Sequence, residues 1–451
     1  MSAGIKFKSG PPVTHERHDT LAAPCDENRS RLIKRFHDTR ATSRLIAAPL
    51  SPEDQTVQSM PDVSPTKWHL ALTTWFFETF LLKSFAEGYA DYDPAFAHLF
   101  NSYYHSVGSM YARPRRGLLS RPSVSDILAY RAHVDEAMAR LLTTASQTLW
   151  GEIAALVTLG LHHEQQHQEL MLTDIKHVLS CNPTLPAAYS APIRSAGGSP
   201  DLSWLGHSGG LHDIGHGADG FAFDNETPRH QALVPGFALA SRPVTNGEYL
   251  DFIQDGGYDT VTLWLSDGWA LAREQGWRHP LYWVQRDDGW YEFTLHGLMP
   301  LDPARPVAHV SFFEAQAFAE WSGKRLPTEI ELELFLAEAP VEGNLLFPGC
   351  DGQRPGPLTS PEPAAPPAAP QDRCVQLFGD VWEWTRSAYG PYPGFTPLPG
   401  SLGEYNGKFM CNQFVLKGGS CATPADHIRA TYRNFFPPDA RWQFSGIRLA
   451  A

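Results

Sequence analysis

The chain has 451 residues, enough for two or three domains, with 36 Lys plus Arg against 49 Asp plus Glu and a net charge of −13. That balance argues against broad nucleic-acid binding, which needs a basic surface, and no apolar run approaches the roughly 18 residues of a membrane helix. The six cysteines (Cys25, Cys181, Cys350, Cys374, Cys411 and Cys421) are scattered with no Cys-x-x-Cys pair. They predict a reduced, cytoplasmic protein without a disulfide framework or a structural zinc site, and the polar residues 1–20 lack the apolar segment of a secretory signal.

Residues 1–25 read as a flexible tail. A helical pattern begins at Asp26, runs to Leu45-Ile46 and stops at Pro49. The second starts at Ser64-Pro65, with Ser64 as N-cap and Pro65 at the first helical position, and carries Trp68, His69, Leu72, Trp75, Phe76, Phe80 and Leu81. A third starts at Ser123 or Ser125 and runs through Leu128, Val134 and Met138 to Leu142. The fourth covers residues 149–179 and ends before Asn182-Pro183. Four long amphipathic segments in succession predict an antiparallel helix bundle over residues 26–182, a fold that builds metal sites from inward-facing side chains.

Residues 183–200, rich in Pro, Ala, Ser and Gly, read as a linker. Residues 201–451 change texture to short apolar pieces between Gly, Pro, Asp and Asn, which predicts irregular α+β structure. Helices are expected from Ser311 through Trp321 and from Thr328 to Leu336. The Pro/Ala-rich residues 355–370 predict a mobile surface loop.

The fourth helix contains Leu161-His162-His163-Glu164-Gln165-Gln166-His167. Side chains four apart share a helix face, with Cβ atoms about 6 Å apart, so His163 and His167 can reach one divalent metal. Iron, zinc, nickel and copper all suit imidazole donors. Glu164 also completes the His-Glu-x-x-His string of zinc proteases. The residues downstream do not fit a protease: Gln168-Glu169-Leu170-Met171 lacks the Gly and third His of one class, and the next Glu after Glu169 is Glu226, beyond the linker.

Several further strings resemble one family. They are Gln58-Ser-Met-Pro-Asp-Val-Ser-Pro-Thr-Lys-Trp-His69, Asn101-Ser-Tyr-Tyr104, Arg116-Gly-Leu-Leu-Ser-Arg121-Pro, Gly323-Lys-Arg-Leu-Pro-Thr-Glu329, Asp380-Val-Trp-Glu-Trp384-Thr, Gly418-Gly-Ser-Cys-Ala-Thr-Pro and Arg429-Ala-Thr-Tyr-Arg-Asn434-Phe-Phe436. Together with the histidine string they look like the ergothioneine-forming sulfoxide synthases over most of residues 30–451. The resemblance implies a DinB-like four-helix bundle joined to a formylglycine-generating-enzyme-like, C-type-lectin-like module. It implies non-haem Fe(II) held by three histidines, O2, and oxidative coupling of a sulfur donor to the imidazole C2 of hercynine (Nα-trimethylhistidine). The donor is cysteine or γ-glutamylcysteine; a related branch uses a selenosugar and makes selenoneine.

Carried over by position, the resemblance makes His163 and His167 metal ligands. The third ligand position falls on Leu72, which cannot coordinate. His69 serving instead, a substrate group or water filling the place, and altered iron binding are the three open explanations. Of the tyrosine pair, Tyr104 matches the proton donor, with Tyr103 beside it. Arg113, in a basic cluster with Arg115, Arg116 and Arg121, matches a ligand for the donor's carboxylate, which suits a guanidinium fork. Gln166, Asn434, Phe435 and Phe436 match residues that hold hercynine, whose quaternary ammonium prefers aromatic faces. The site is therefore expected at the domain interface. A formylglycine-generating enzyme is disfavoured because Cys421 stands without the second nearby cysteine of that chemistry, and a non-catalytic binding protein with a degraded metal site is the alternative of another class.

Overall fold

The computed structural model describes residues 25–190, 199–217, 219–346, 362–366 and 373–451. Helix α1 (Cys25–Ala47), α2 (Thr66–Phe77), α3 (Val124–Thr144) and α4 (Gln147–Ser180) form the N-terminal bundle. Helix α4 packs on α1 and α2, and α2 also packs on α3. Helix α3 starts where Ser123 accepts from the Asp126 N–H while the Asp126 carboxylate takes the Ser123 N–H, a reciprocal box that satisfies two orphan donors.

The start of α2 differs from expectation by one residue. Pro65 occupies the N-cap place, and Ser64 caps nothing. Its N–H donates to Asp174 (2.8 Å) and its hydroxyl accepts from Arg116 (3.0 Å), so tertiary partners have taken the groups a cap would use. Beyond Phe77 the helix loosens into one π-helical turn, Glu78–Leu82, before a last short turn at Lys83–Phe85. Buried Glu78 in that turn accepts from Tyr130 (2.6 Å) and Tyr89 (2.7 Å).

The second module is a mixture of short strands and helices. Its main sheet has the order Asn434–Phe436, Phe414–Lys417, Trp382–Ala388, Ser445–Gly446, antiparallel except for the last, parallel pair. Helices Phe312–Trp321 and Glu329–Glu338 start at capping boxes on Ser311 with Glu314 and Thr328 with Glu331, close to where their sequences predict them. The multidomain α plus α+β architecture is thus as expected.

The two halves share a core. Tyr282, Phe293, Leu295, Leu346, Cys421, Ala422 and Phe444 of the second module belong to the same buried apolar cluster as the bundle interior. The described part of the expected linker joins in: Ala188 N–H (2.8 Å) and Tyr189 N–H (3.1 Å) donate to the Leu295 carbonyl, and the Tyr189 hydroxyl reaches Ile46 O at 3.0 Å. The expected mobile loop at 355–370 needs correction where it is described. Glu362 is 2% exposed and accepts from Lys176 (2.9 Å), because a buried ammonium on α4 requires a counter-charge. The rest of that loop, the expected tail at residues 1–24 and residues 191–198 lie outside the described residues. No described helix is long and apolar enough to cross a membrane.

Candidate active site at the module seam

Helix α4 organises the site because a turn of about 100° per residue sorts its side chains into three stripes. His162, Gln165, Gln166, Glu169 and Lys176 face the second module. His163 and His167 face α2, with Asp174 on the same stripe. Glu164 and Gln168 face α1.

Glu164 is therefore not available as a protease base. Its carboxylate accepts from Arg40 Nη1 (2.9 Å), Ser43 Oγ (2.6 Å) and Arg131. Burial alone would push this carboxyl up, but the Arg131 and Arg40 guanidinium groups overcome it and hold the carboxyl at about 2.

The histidine stripe is a tight cluster. The His163 and His167 ring centroids are 4.7 Å apart, and each residue is 9% exposed. Burial brings His163 down to about 4 and holds His167 well below the ordinary histidine value, so both rings are neutral, the form that binds metals. The His163 Nδ1 atom is buried without a hydrogen-bond partner. His69 joins the pair: its Nδ1 lies 2.8 Å from His167 Nδ1 and its Nε2 3.0 Å from Asp174 Oδ2.

Both His69 nitrogens are thus in hydrogen-bond contact, one with His167 and one with Asp174. These two contacts line up the Asp174 carboxylate, the His69 ring and His167 in one row. A carboxylate–imidazole pair behind a ligating histidine fixes its tautomer and ring plane. Leu72 is 1% exposed, one turn from Phe76, whose ring packs 5.1 Å from that of His163. It puts a methyl-rich side chain where a third donor is expected. Among the described residues, no three His, Cys, Asp or Glu side chains are arranged to hold a metal ion. The donor set fits a two-imidazole frame with an outer-shell orienter, not a closed three-residue shell.

Farther round α4, where Gln166, Glu169 and Leu170 line it, lies a cleft of about 200 Å³ between the modules; the histidines themselves are not among its lining residues. From the bundle come Asp62, Tyr103, Arg113, Gln166, Glu169 and Leu170; from the second module come Trp382, Tyr405, Phe409, Tyr432, Trp442 and the run Asn434, Phe435 and Phe436. All five residues matched to substrate binding therefore meet in one cavity, although Arg113 and Asn434 lie far apart in the sequence. The Arg113 guanidinium donates to the Tyr103 hydroxyl (3.2 Å) and to the Asp62 carbonyl. Phe435 stacks on Tyr389 at 4.1 Å, and its strand Asn434–Phe436 pairs with Phe414–Lys417 at the cleft wall.

The tyrosine pair divides differently from expectation. Tyr103 lines the cleft against Tyr405 and Phe409. Tyr104 is 5% exposed among Trp75 and Phe80, and burial raises its phenol. The remaining arginines separate too. Arg116 is buried, its guanidinium 3.4 Å from the centre of the Trp68 ring, whereas Arg115 and Arg121 are exposed. Residues with no signal of their own in the sequence complete the walls. Glu169 accepts from Trp382 Nε1 (2.7 Å), Ser420 Oγ (2.5 Å) and Thr423 Oγ1 (2.8 Å), fastening α4 to the Gly418-Gly419-Ser420 turn. The conjunction of a polar side chain on α4 with hydroxyls in a Gly-Gly-Ser turn is visible in the sequence only as separate strings.

Known proteins divide the chain at the same seam. Residues 35–171 match the DinB superfamily, and residues 206–343 and 373–451 match the sulfatase-modifying factor enzyme 1-like domain. The hercynine oxygenase of Mycolicibacterium smegmatis is 35% identical over 87% of this chain and 92% of its own length. That of Mycolicibacterium thermoresistibile is 34% identical over 79% and 80%. The chain belongs to the hercynine oxygenase family. It is an enzyme of the ergothioneine-forming, oxygen-dependent sulfoxide synthase type. Ergothioneine biosynthesis protein 1 of Schizosaccharomyces pombe is 31% identical over 51% of this chain and 27% of that protein. Cys421 is buried and, as a lone thiol pushed up by burial, does not supply the cysteine pair of a formylglycine-generating site.

Proposed function

We propose that this enzyme uses Fe(II) and O2 to join a chalcogen donor to the imidazole C2 of hercynine. The observation that carries the reading is the single cleft in which Arg113, Gln166, Asn434, Phe435 and Phe436 converge, lined in part by the helix that carries the His163–His167 pair. His163 and His167 would hold the iron, with His69 and Asp174 orienting His167 behind it. Iron(II) bound there supplies the O2 and one-electron chemistry that no protein side chain offers.

The chain's own residues do the rest. Phe435 and Phe436, with Tyr405, Phe409 and Trp442, form an aromatic wall suited to a trimethylammonium group, which cannot donate a hydrogen bond. Gln166 and Asn434 bring amides to the same space. Arg113 offers a guanidinium to a donor carboxylate, which favours cysteine or γ-glutamylcysteine over a neutral selenosugar. Tyr103, hydrogen-bonded to Arg113 at the cleft wall, is a phenol placed to pass a proton there, whereas Tyr104 packs on Trp75 and Phe80 in the bundle interior. A cytoplasmic location accords with the scattered free cysteines.

The test is mass spectrometry of products from hercynine, Fe(II) and O2, with cysteine, γ-glutamylcysteine and a selenosugar offered in parallel. A hercynine-derived sulfoxide with one of the thiols is the expected product. A selenium adduct alone would move the enzyme to the selenoneine branch, and no adduct with any donor would refute the reading.

A further inference from the structure

A file of hydrogen bonds crosses the seam from the protein surface to the cleft. Arg35 Nη2 lies 3.0 Å from His162 Nε2, His162 Nδ1 lies 2.9 Å from His427 Nδ1, and His427 Nε2 lies 3.1 Å from the Tyr432 hydroxyl. Each imidazole nitrogen can donate or accept, so such a file could run in either direction if its ends were free. The outer end is not free. A guanidinium has five N–H donors and no lone pair, so His162 Nε2 must accept. In a neutral ring the hydrogen then sits on Nδ1 and is donated to His427 Nδ1, which leaves the His427 hydrogen on Nε2, pointing at Tyr432. The guanidinium contact by itself requires a neutral His162 ring, since a doubly protonated imidazole has no lone pair to accept with, and burial favours the neutral form of His427.

The outer end of this file is anchored on both sides of the seam. Arg35 Nε binds Asp426 Oδ2 (3.2 Å), and Arg35 Nη2 also reaches Gln165 Oε1 (3.3 Å). Gln165 Nε2 in turn donates to Asp426 Oδ1. The His162 ring stacks on Phe221 with centroids 4.0 Å apart and planes 6° from parallel.

At the inner end Tyr432 receives a second hydrogen bond, from Gln166 Nε2 at 2.8 Å. The two lone pairs of its oxygen are then occupied, and the phenol's own hydrogen is donated to no described residue. The side chain lines the cleft. Burial raises the phenol above its ordinary value, so that hydrogen is retained.

We infer that Tyr432 is a substrate-binding residue whose O–H, turned into the cleft by the Arg35–His162–His427 file, donates a hydrogen bond to bound hercynine. His162 and His427 act as positioning residues. The inference rests on hercynine being the ligand. Its trimethylammonium group has no lone pair, so the acceptor is the α-carboxylate or an imidazole nitrogen.

Anaerobic titration calorimetry of hercynine into the full-length protein tests this, with the melting temperature of each variant measured alongside. Tyr432→Phe keeps the ring and removes only the hydroxyl; binding about ten-fold weaker at an unchanged melting temperature is expected. His427→Leu should weaken binding by a similar factor, and the double variant should be no weaker than Tyr432→Phe alone. His427→Gln, whose amide can accept from His162 and donate to Tyr432, should restore binding to within about two-fold of wild type. Wild-type affinity in Tyr432→Phe would overturn the inference while leaving the functional reading intact. A well-folded His427→Gln that binds ten-fold more weakly than wild type would overturn the file as its cause. Failure of the wild-type protein to bind hercynine at all would overturn both. The decarboxylated analogue identifies the acceptor: if its affinity is indifferent to Tyr432→Phe the bond goes to the carboxylate, and otherwise to the ring.

Discussion

Three neighbours on α4, His163, Glu164 and His167, divide between two fates that their shared motif does not distinguish. The imidazoles reach toward α2, while Glu164 is turned into a fully buried ion cluster with Arg40 and Arg131. Removing that carboxylate leaves two guanidinium groups without their buried counter-charge. Glu164→Ala should therefore cost about 3–5 kcal/mol in urea unfolding, whereas a protease-base role would leave stability almost unchanged. Its pH dependence has a definite sign. Because the folded carboxyl lies at about 2, below its ordinary 4.5, the Glu164 contribution is complete above the ordinary value and is lost as pH falls from about 4.5 toward 2. The difference in stability between wild type and Glu164→Ala should shrink across that acid window. His167→Ala makes the complementary prediction: anaerobic Fe(II) titration should lose stoichiometric uptake, and turnover should be abolished. Retention of both would end the metal assignment.

At the level of elements, the long helices are legible because their apolar residues recur every three to four positions. Residues 26–46 are expected and Cys25–Ala47 is found; Ser123 is one of two expected starts and is the one used. The Ser64 cap fails because Asp174 and Arg116, distant in sequence, compete for the same serine. The short strands of the second module have no readable period, since two to seven residues with a register shift between Trp384 and Ala388 carry too little repetition. Close approach of α4 to α2 also leaves no mark except one small residue. A Cβ at Gly160 would meet ring carbons of Phe76 and Phe77 at 2.8 Å, and Phe76 is the residue that packs on His163. Gly160→Ala gains helix propensity, about 1 kcal/mol, yet overpacking should outweigh it and give net destabilisation of roughly 1–2 kcal/mol by thermal or urea unfolding. A stabilised variant would show that the helices are free to part.

On the scale of the whole molecule, the seam between modules is built like an interior, with apolar side chains shared and buried charges matched across it. Lys176 on α4 donates to Glu362 (2.9 Å), lies 2.9 Å from His309 Nε2 and sits 4.0 Å from Glu292. Burial raises the Glu292 carboxyl to about 7 against the pull of Lys176. A folded value above the ordinary one means that the native state holds an extra proton. The Glu292 contribution is thus complete below about 4.5 and lost as pH rises toward 7. The stability difference between wild type and Glu292→Gln should fall across that range, by something on the order of a kcal/mol; a flat difference would contradict the assignment.

What the sequence by itself determined was the division into helix bundle and α+β module, the histidine pair one turn apart, the family resemblance and five of the residues that line the cleft. Those are properties of short strings and local periods. Only the tertiary structure decided which tyrosine faces the cleft, that His69 bridges His167 and Asp174, that Glu362 is buried, and that Tyr432 presents a proton to the cavity. Each of those outcomes depends on contacts between groups that are not neighbours in the sequence, apolar for Tyr104 and hydrogen-bonded for His69, Glu362 and Tyr432. Those contacts are settled by the packing of α4 on the other bundle helices and on the second module.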